Sequence, residues 1–189
     1  MNKQEREAKL KELHRRIRRC SLCFLSKSRM VAVPGRGNPN AKIIFVGEAP
    51  GNEEDKTGRP FVGKAGRFLD WLFDRYGFSR KKCFLTSTVK CRPPKNRRPK
   101  PNEISTCSSL YLKEQIRLIE PKIVVTFGEV ALKALVDLTG LSKIHGTQVK
   151  RDNIIYFPTY HPASGMRFPE IRKMMMADFR KLRQIKTKI

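Results

Sequence analysis

The stretch KIIFVGEAPGNEED, residues 42–55, decides how the rest of the chain is read. It opens on Ile43, Ile44, Phe45 and Val46, a β-branched and aromatic run that stops at Gly47. A short apolar run bounded by glycine reads as a strand buried on both faces. What comes next is out of character for the chain. Glu48, Glu53, Glu54 and Asp55 crowd together in a sequence with 41 Lys plus Arg against 17 Asp plus Glu, a net charge of +24. Solubility does not require these acids, so they either cap a helix or take part in chemistry.

Three further runs share that character: CFLTSTV (83–89), KIVVTFG (122–128) and NIIYFPTY (153–160). Helical spacing separates them, at roughly 65–76, 103–119, 128–138 and 169–185. Residues 4–19 place Leu10, Leu13 and Ile17 on one stripe of a charged surface helix, and VPGRGNPNAK (33–42) reads as loop. Buried strands alternating with helices imply parallel pairing with right-handed crossovers, hence an α/β fold, a three-layer α/β/α sandwich. A length of 189 residues suits a single domain over residues 1–189. No internal repeat or low-complexity tract interrupts it.

The excess positive charge points to a polyanionic partner, with nucleic acid first. A thermophile's charged surface would instead balance Lys against Glu. The stretches HRRIRR (14–19), CRPPKNRRPKP (91–101) and FRKLRQIKTK (179–188) supply the phosphate contacts that this reading needs. No run approaches a membrane span, and the N-terminus lacks a secretory apolar core, so no membrane and an intracellular, cytoplasmic location are expected.

In open parallel sheets, ligands bind beyond the carboxyl ends of the strands. The residues there are Glu48-Ala49-Pro50-Gly51, Lys90-Cys91-Arg92-Pro93-Pro94, Gly128-Glu129 and His161-Pro162-Ala163-Ser164. The first cluster lacks a dinucleotide glycine fingerprint. Glu48 falls at a strand end, whereas Glu53 reads as a solvated turn residue. Phe61, in GRPFVG (58–63), could stack on a planar ring or anchor the loop in the core. His161 leaves the last strand at the same sheet edge as Glu48. Cys20 and Cys23 form a CxxC pair, while fifteen residues separate Cys91 from Cys107. Four thiolates can hold zinc or an iron–sulfur cluster, and Cys83 reads as a buried thiol within a strand.

Three stretches, GEAPGNEEDKTGRPFVGKAG (47–66), TSTVKCRPPKNRRP (86–99) and TYHPAS (159–164), together with those four cysteines, resemble the family 4 uracil-DNA glycosylases. These are iron–sulfur DNA-repair enzymes of thermophilic bacteria and archaea. The resemblance implies a four-stranded parallel sheet between helices. It also implies a [4Fe–4S] cluster on Cys20, Cys23, Cys91 and Cys107, with the N-terminal helix and CxxC completing the cluster site. It matches Glu48 to the active-site acid, with Glu54 and Asn96 as supporting polar residues. Phe61 corresponds to the aromatic under the base, and His161 to the histidine facing a base carbonyl, beside Gly47. PASGMRF (162–168) resembles the loop that enters DNA, which makes Met166 or Arg167 the residue filling the gap left by a flipped base. The chain has Ala49 where family 1 enzymes carry aspartate.

One position departs from the pattern. Ser87 stands where the family has asparagine to read uracil, which opens the range to other deaminated bases such as hypoxanthine or xanthine. The expected activity is hydrolysis of the N-glycosidic bond of uracil in single- or double-stranded DNA by a nucleoid-associated monomer. A sliding clamp is left open as a further partner, since no residue pattern identifies one. A non-catalytic iron–sulfur nucleic-acid-binding protein would leave Glu48 and His161 without a task. An electron-transfer protein would leave the basic surface unexplained.

Overall fold

A computed structural model describes residues 1–187; the last two residues of the expected domain, Lys188 of the basic C-terminal stretch among them, lie outside the described residues. The strands are β1 (Arg36–Gly37), β2 (Ile43–Gly47), β3 (Phe84–Ser87), β4 (Ile123–Phe127), β5 (Val149–Arg151) and β6 (Ile154–Thr159). They form one six-stranded sheet in the order β1-β3-β2-β4-β6-β5. The four expected strands are its parallel centre, with β2 between β3 and β4, and β6 beyond β4. The difference from a four-stranded sheet lies at the edges. There β1 pairs antiparallel with β3, and β5 antiparallel with β6. These strands are two and three residues long and carry no buried residue, so no apolar pattern marks them.

The helices are α1 (Lys3–Arg19), α2 (Leu25–Ser28), α3 (Asn52–Thr57), α4 (Lys64–Tyr76), α5 (Pro101–Cys107), α6 (Lys113–Ile119), α7 (Glu129–Val136), α8 (Leu141–Ile144), α9 (Pro162–Arg167) and α10 (Pro169–Lys186). Helix α1 starts on a capping box between Asn2 and Glu5 and ends on Arg16, Arg18 and Arg19, charges that suit the helix dipole at both ends. A π-turn over Ser108–Leu112 joins α5 to α6, directly after Cys107.

Alternation along each central strand sends side chains into two cores. Ile44, Val46 and Val124 pack on one face with Leu10, Leu13 and Ile17 of α1 and Ile116 of α6. Phe45, Val125, Phe127 and Phe157 pack on the other with Leu69 and Phe73 of α4 and Phe179 of α10. Both faces are covered, which is why the strands read as unbroken apolar runs.

Phe45 sits at the centre of the second core, fully buried, with ring centroids 4.8 Å from Phe73, 5.7 Å from Phe127 and 6.3 Å from Phe179. Phe45→Ala should therefore destabilise the protein by about 3–5 kcal/mol, through lost transfer energy and a cavity that three packed rings cannot close. Chemical denaturation measures this, and a loss below about 1 kcal/mol would mean that the core collapses around the gap.

Candidate active site

The parallel strands bring their carboxyl ends to one edge, where a pocket of about 380 Å³ opens. Glu48, Glu54, Phe61, Ser87, Asn96 and His161 line it together. The backbones of β2 and β3 stay tied past their ends. Thr88 donates its N–H (2.8 Å) and its hydroxyl (2.9 Å) to Gly47 O, and Val89 N–H donates to Glu48 O at 3.2 Å. Glu48 is thereby fixed at the rim. Its carboxylate takes no side-chain hydrogen bond among the described residues, and it is half-buried. Desolvation pushes its pKa up, while the positive charge of Arg98 pulls the other way.

Phe61 forms one wall. A Cβ on Gly47 would come within 2.8 Å of its ring, so glycine there lets the ring lie against the end of β2. The ring stands roughly parallel to the imidazole of His161, at 29° and 6.4 Å between centroids. Its edge rests on Phe127 at 5.8 Å. Phe61 anchors its loop, with the ring buried in the second core, and the same ring also lines the pocket.

His161 precedes α9 as its N-cap, where Nδ1 accepts the Ala163 N–H at 3.2 Å. That bond places the proton of a neutral ring on Nε2 and leaves Nε2 as a donor. The ring is surrounded by protein although part of its surface meets the pocket. Desolvation lowers its pKa to about 4 against the opposing pull of Glu54, so it is neutral at pH 7.

Glu54 works on the backbone. Its carboxylate accepts the N–H groups of Gly51 (3.0 Å), Val62 (2.8 Å) and Gly63 (2.8 Å), which folds the loop after α3 back onto the start of that helix. Asn96 is exposed, at a positive φ of 55°, and its Oδ1 accepts from Arg92 Nε at 2.8 Å. Arg92 also reaches Asn52 Oδ1 at 2.8 Å, linking the two rims. Ser87 is buried at the end of β3, and its carbonyl accepts the Lys90 ammonium at 2.6 Å. Met166 and Arg167 are exposed at the far end of α9 and do not line the pocket. A larger cavity of about 770 Å³ opens beyond Phe61, lined by Arg36, Arg59, Arg80 and Lys81. It contains neither Glu48 nor His161.

The four cysteines line one small cavity beyond the carboxyl end of β3, between α1 and the start of the π-turn. Arg29 donates to Cys91 Sγ at 2.9 Å, and Lys90 N–H donates to Cys107 Sγ at 3.3 Å. Burial pushes the Cys107 thiol up to about 12 and raises that of Cys91. Among the described residues no three His, Cys, Asp or Glu side chains converge on a single point as ligands of one metal ion would. Cys83 is buried elsewhere, in the second core. Sequence reading had missed Arg29, Lys90 and Arg97, each of which looks like one more surface cation. Arg97 lines the pocket and pairs with the buried Glu103 through two bonds of 2.7 and 2.9 Å.

Residues 34–183 match the family model of the uracil DNA glycosylase superfamily. The chain is 44% identical over 186 residues to the type-4 uracil-DNA glycosylase of Sulfurisphaera tokodaii, covering 93% of this chain and 84% of that one. It is 38% identical to the type-4 uracil-DNA glycosylase of Thermotoga maritima, with 93% and 94% covered. A type-5 uracil-DNA glycosylase of Pyrobaculum aerophilum matches at 36% over 149 residues, 69% of this chain and 65% of that one. The chain thus belongs to the uracil-DNA glycosylase superfamily. Within it, the chain belongs to the type-4 uracil-DNA glycosylases.

Two partly buried histidines give the folded protein a pH signature. Desolvation lowers both His161 and His14 from 6.5 to about 4, and for His14 the nearby Arg18 and Lys90 add to it. Between pH 6.5 and 4 the unfolded chain binds protons that the folded chain refuses, so stability present above 6.5 is lost as pH falls through that window. Denaturation midpoints at pH 7 and pH 5 should differ for this reason, and the difference should shrink in His161→Gln. An undiminished difference in that variant would show that His161 is not the buried neutral group described.

Proposed function

We propose that this chain hydrolyses the N-glycosidic bond of uracil in DNA and leaves an abasic site. The carrying observation is that a carboxylate (Glu48) and a neutral, donor-oriented imidazole (His161) share one pocket with an aromatic wall, Phe61. A base in a duplex must leave the stack to be reached, and Phe61 offers the flipped base a face. As the bond from the sugar to N1 breaks, its electron pair goes to the base and positive charge builds on the sugar. His161 Nε2–H donates to the base oxygen that gains negative charge. Glu48 stabilises the cationic sugar and orients the water whose oxygen bonds to the anomeric carbon, and the proton that this water releases balances the charge of the departing base anion. Glu54 and Asn96 act by holding the loops around it, and Gly47 gives the ring of Phe61 its place. Met166 or Arg167, exposed beyond the pocket, would fill the gap in the stack.

Ser87 supports a second reading on substrate range. A rotating hydroxyl makes one hydrogen bond where an asparagine amide makes a matched pair, so discrimination among deaminated bases such as hypoxanthine and xanthine is looser. The basic surface favours a DNA substrate whether single- or double-stranded, and a monomer acting in the cytoplasm, at the nucleoid, fits it. No helix among the described residues is long and apolar enough to cross a membrane.

Cys20, Cys23, Cys91 and Cys107 would hold a [4Fe–4S] cluster, so that the N-terminal helix and CxxC complete a single domain. The four cysteines line one small cavity, and Arg29 and the Lys90 N–H donate to two of the sulfurs, hydrogen bonds that suit thiolate ligands. Bound there, the cluster would supply a cross-link between α1, the segment after β3 and α5.

On a uracil-containing oligonucleotide the protein should leave abasic sites, with the strand breaking there only on alkali treatment and not at all where uracil is absent. Glu48→Gln should lower the single-turnover rate by roughly 100-fold or more while DNA affinity stays nearly constant, because the lost charge matters in the transition state. The carboxylate must be ionised, so the rate should fall on the acid side of a pKa raised above the usual carboxylate range. Activity within a few-fold of wild type would remove Glu48 from the mechanism.

Metal analysis tests the other site. Protein purified anaerobically should carry about four irons per chain, and Cys91→Ala should lose them. One zinc per chain, without iron, would overturn the cluster.

A further inference from the structure

Phe61 holds a backbone conformation that side-chain-bearing residues rarely adopt, with φ at +54°. Such a residue persists only where its surroundings over-determine it. The surroundings here are specific. A Cβ on Gly66 would lie 1.9 Å from the Phe61 carbonyl oxygen, so glycine in the first turn of α4 makes room for that carbonyl. Into the same corner reaches Arg80, from the turn after α4. Its Nη2 donates to Phe61 O at 2.6 Å and to Gly66 O at 3.4 Å, and its Nη1 to Pro60 O at 3.3 Å. Its Nε meets Asp70 Oδ1 at 2.5 Å, which orients the plane. On the other side, Glu54 takes the N–H groups of Val62 and Gly63. The peptides flanking Phe61 are gripped by a cation on their carbonyls and an anion on their N–H groups.

We propose that Arg80, which does not line the base pocket, is a positioning residue of the excision reaction. Its guanidinium holds the strained Phe61 backbone so that the ring stands where a flipped base must stack. The inference rests on Phe61 being the stacking ring, as argued above. A purely structural role for Arg80 would be its ion pair with Asp70, but both side chains are substantially exposed, at 35% and 47%, where such a pair contributes little. A lysine could keep that pair. Only a planar fork can serve the carbonyls of residues 60, 61 and 66 at once. A small displacement of a substrate-positioning group is costly in rate, which gives the grip a kinetic consequence.

The test is a double-mutant cycle on the full chain with its iron content checked, read as single-turnover excision of uracil and as affinity for uracil-free DNA. Arg80→Met should slow excision by about tenfold with unchanged affinity, and Arg80→Lys should fail to restore the rate. In a Phe61→Ala background, Arg80→Met should cost less than about twofold more, because the ring it positions is gone. If Arg80→Met does not fold, Arg80→Lys carries the same cycle. Wild-type rate in Arg80→Lys, or losses that multiply in the double variant, would overturn the proposal while leaving the pocket's function intact. A wild-type rate in Phe61→Ala alone would instead remove the stacking role of Phe61, and this inference with it.

Discussion

A single buried ammonium holds the two working ends of this molecule together. Lys90 is almost wholly enclosed, and its Nζ donates to Thr86 Oγ1 (2.6 Å), Ser87 O (2.6 Å) and Gln115 Oε1 (2.8 Å). Gln115, on α6, passes the connection to Pro34 O at 2.5 Å. The Lys90 backbone is engaged as well, its carbonyl by Val33 N–H at 2.7 Å and its own N–H by Cys107 Sγ. One residue thus joins the end of β3, helix α6, the segment before β1 and the cysteine cavity. Burying an ammonium is expensive, and here desolvation pulls its pKa down to about 8. The arrangement is stable because every donor has an acceptor; removing the lysine would take a donor from three buried oxygens, of which Thr86 Oγ1 and Gln115 Oε1 would keep only their bond to each other, at 3.0 Å, and that of Thr86 to Pro34 O. The base pocket and the cysteine cavity are therefore two sides of one hydrogen-bonded node.

What the sequence made legible follows from where burial is two-sided. The four central strands announced themselves because both faces are covered, and the strand-end positions of Glu48 and His161 followed from parallel topology. Strands β1 and β5 did not, since Arg36, Lys150 and Arg151 are polar residues recruited by backbone pairing alone. The helix expected over 103–119 is present, but its π-turn after Cys107 depends on local hydrogen bonding that periodicity does not register. Lys90, Arg29 and Arg80 were illegible for another reason. In a chain with 41 basic residues, nothing local distinguishes a cation that grips carbonyls or thiols from one that meets water. Only tertiary contacts separate them.

The acidic crowd at 48–55 has four different explanations rather than one. Glu53 is exposed and pairs with Lys56, the solvated residue that the sequence suggested. Asp55 is buried, and its carboxylate accepts Met30 N–H at 2.9 Å, so α3 is tied to the segment that leads out of the CxxC. Glu54 folds the loop that presents Phe61. Glu48 alone is left without a side-chain partner and faces the pocket. Of the alternatives posed, helix capping falls to Glu54, and the pocket-facing Glu48 is left for the proposed chemistry.

That division also explains why so basic a protein suits a carboxylate at its centre. Desolvation at the pocket works towards neutral groups, which is right for His161 and wrong for Glu48. Arg98, on the exposed rim, lowers the pKa that burial raises, and so favours the ionised acid. For His161 it is burial that disfavours a second proton and keeps the ring a donor from Nε2 rather than a cation. Glu54 opposes this by its charge, but its oxygens are spent on three backbone N–H groups, which spreads that charge into the loop. A basic rim thus does two things by one mechanism. It draws in a polyanion, and it favours the ionised Glu48 that the proposed chemistry, a bond broken between a cationic sugar and an anionic base, requires.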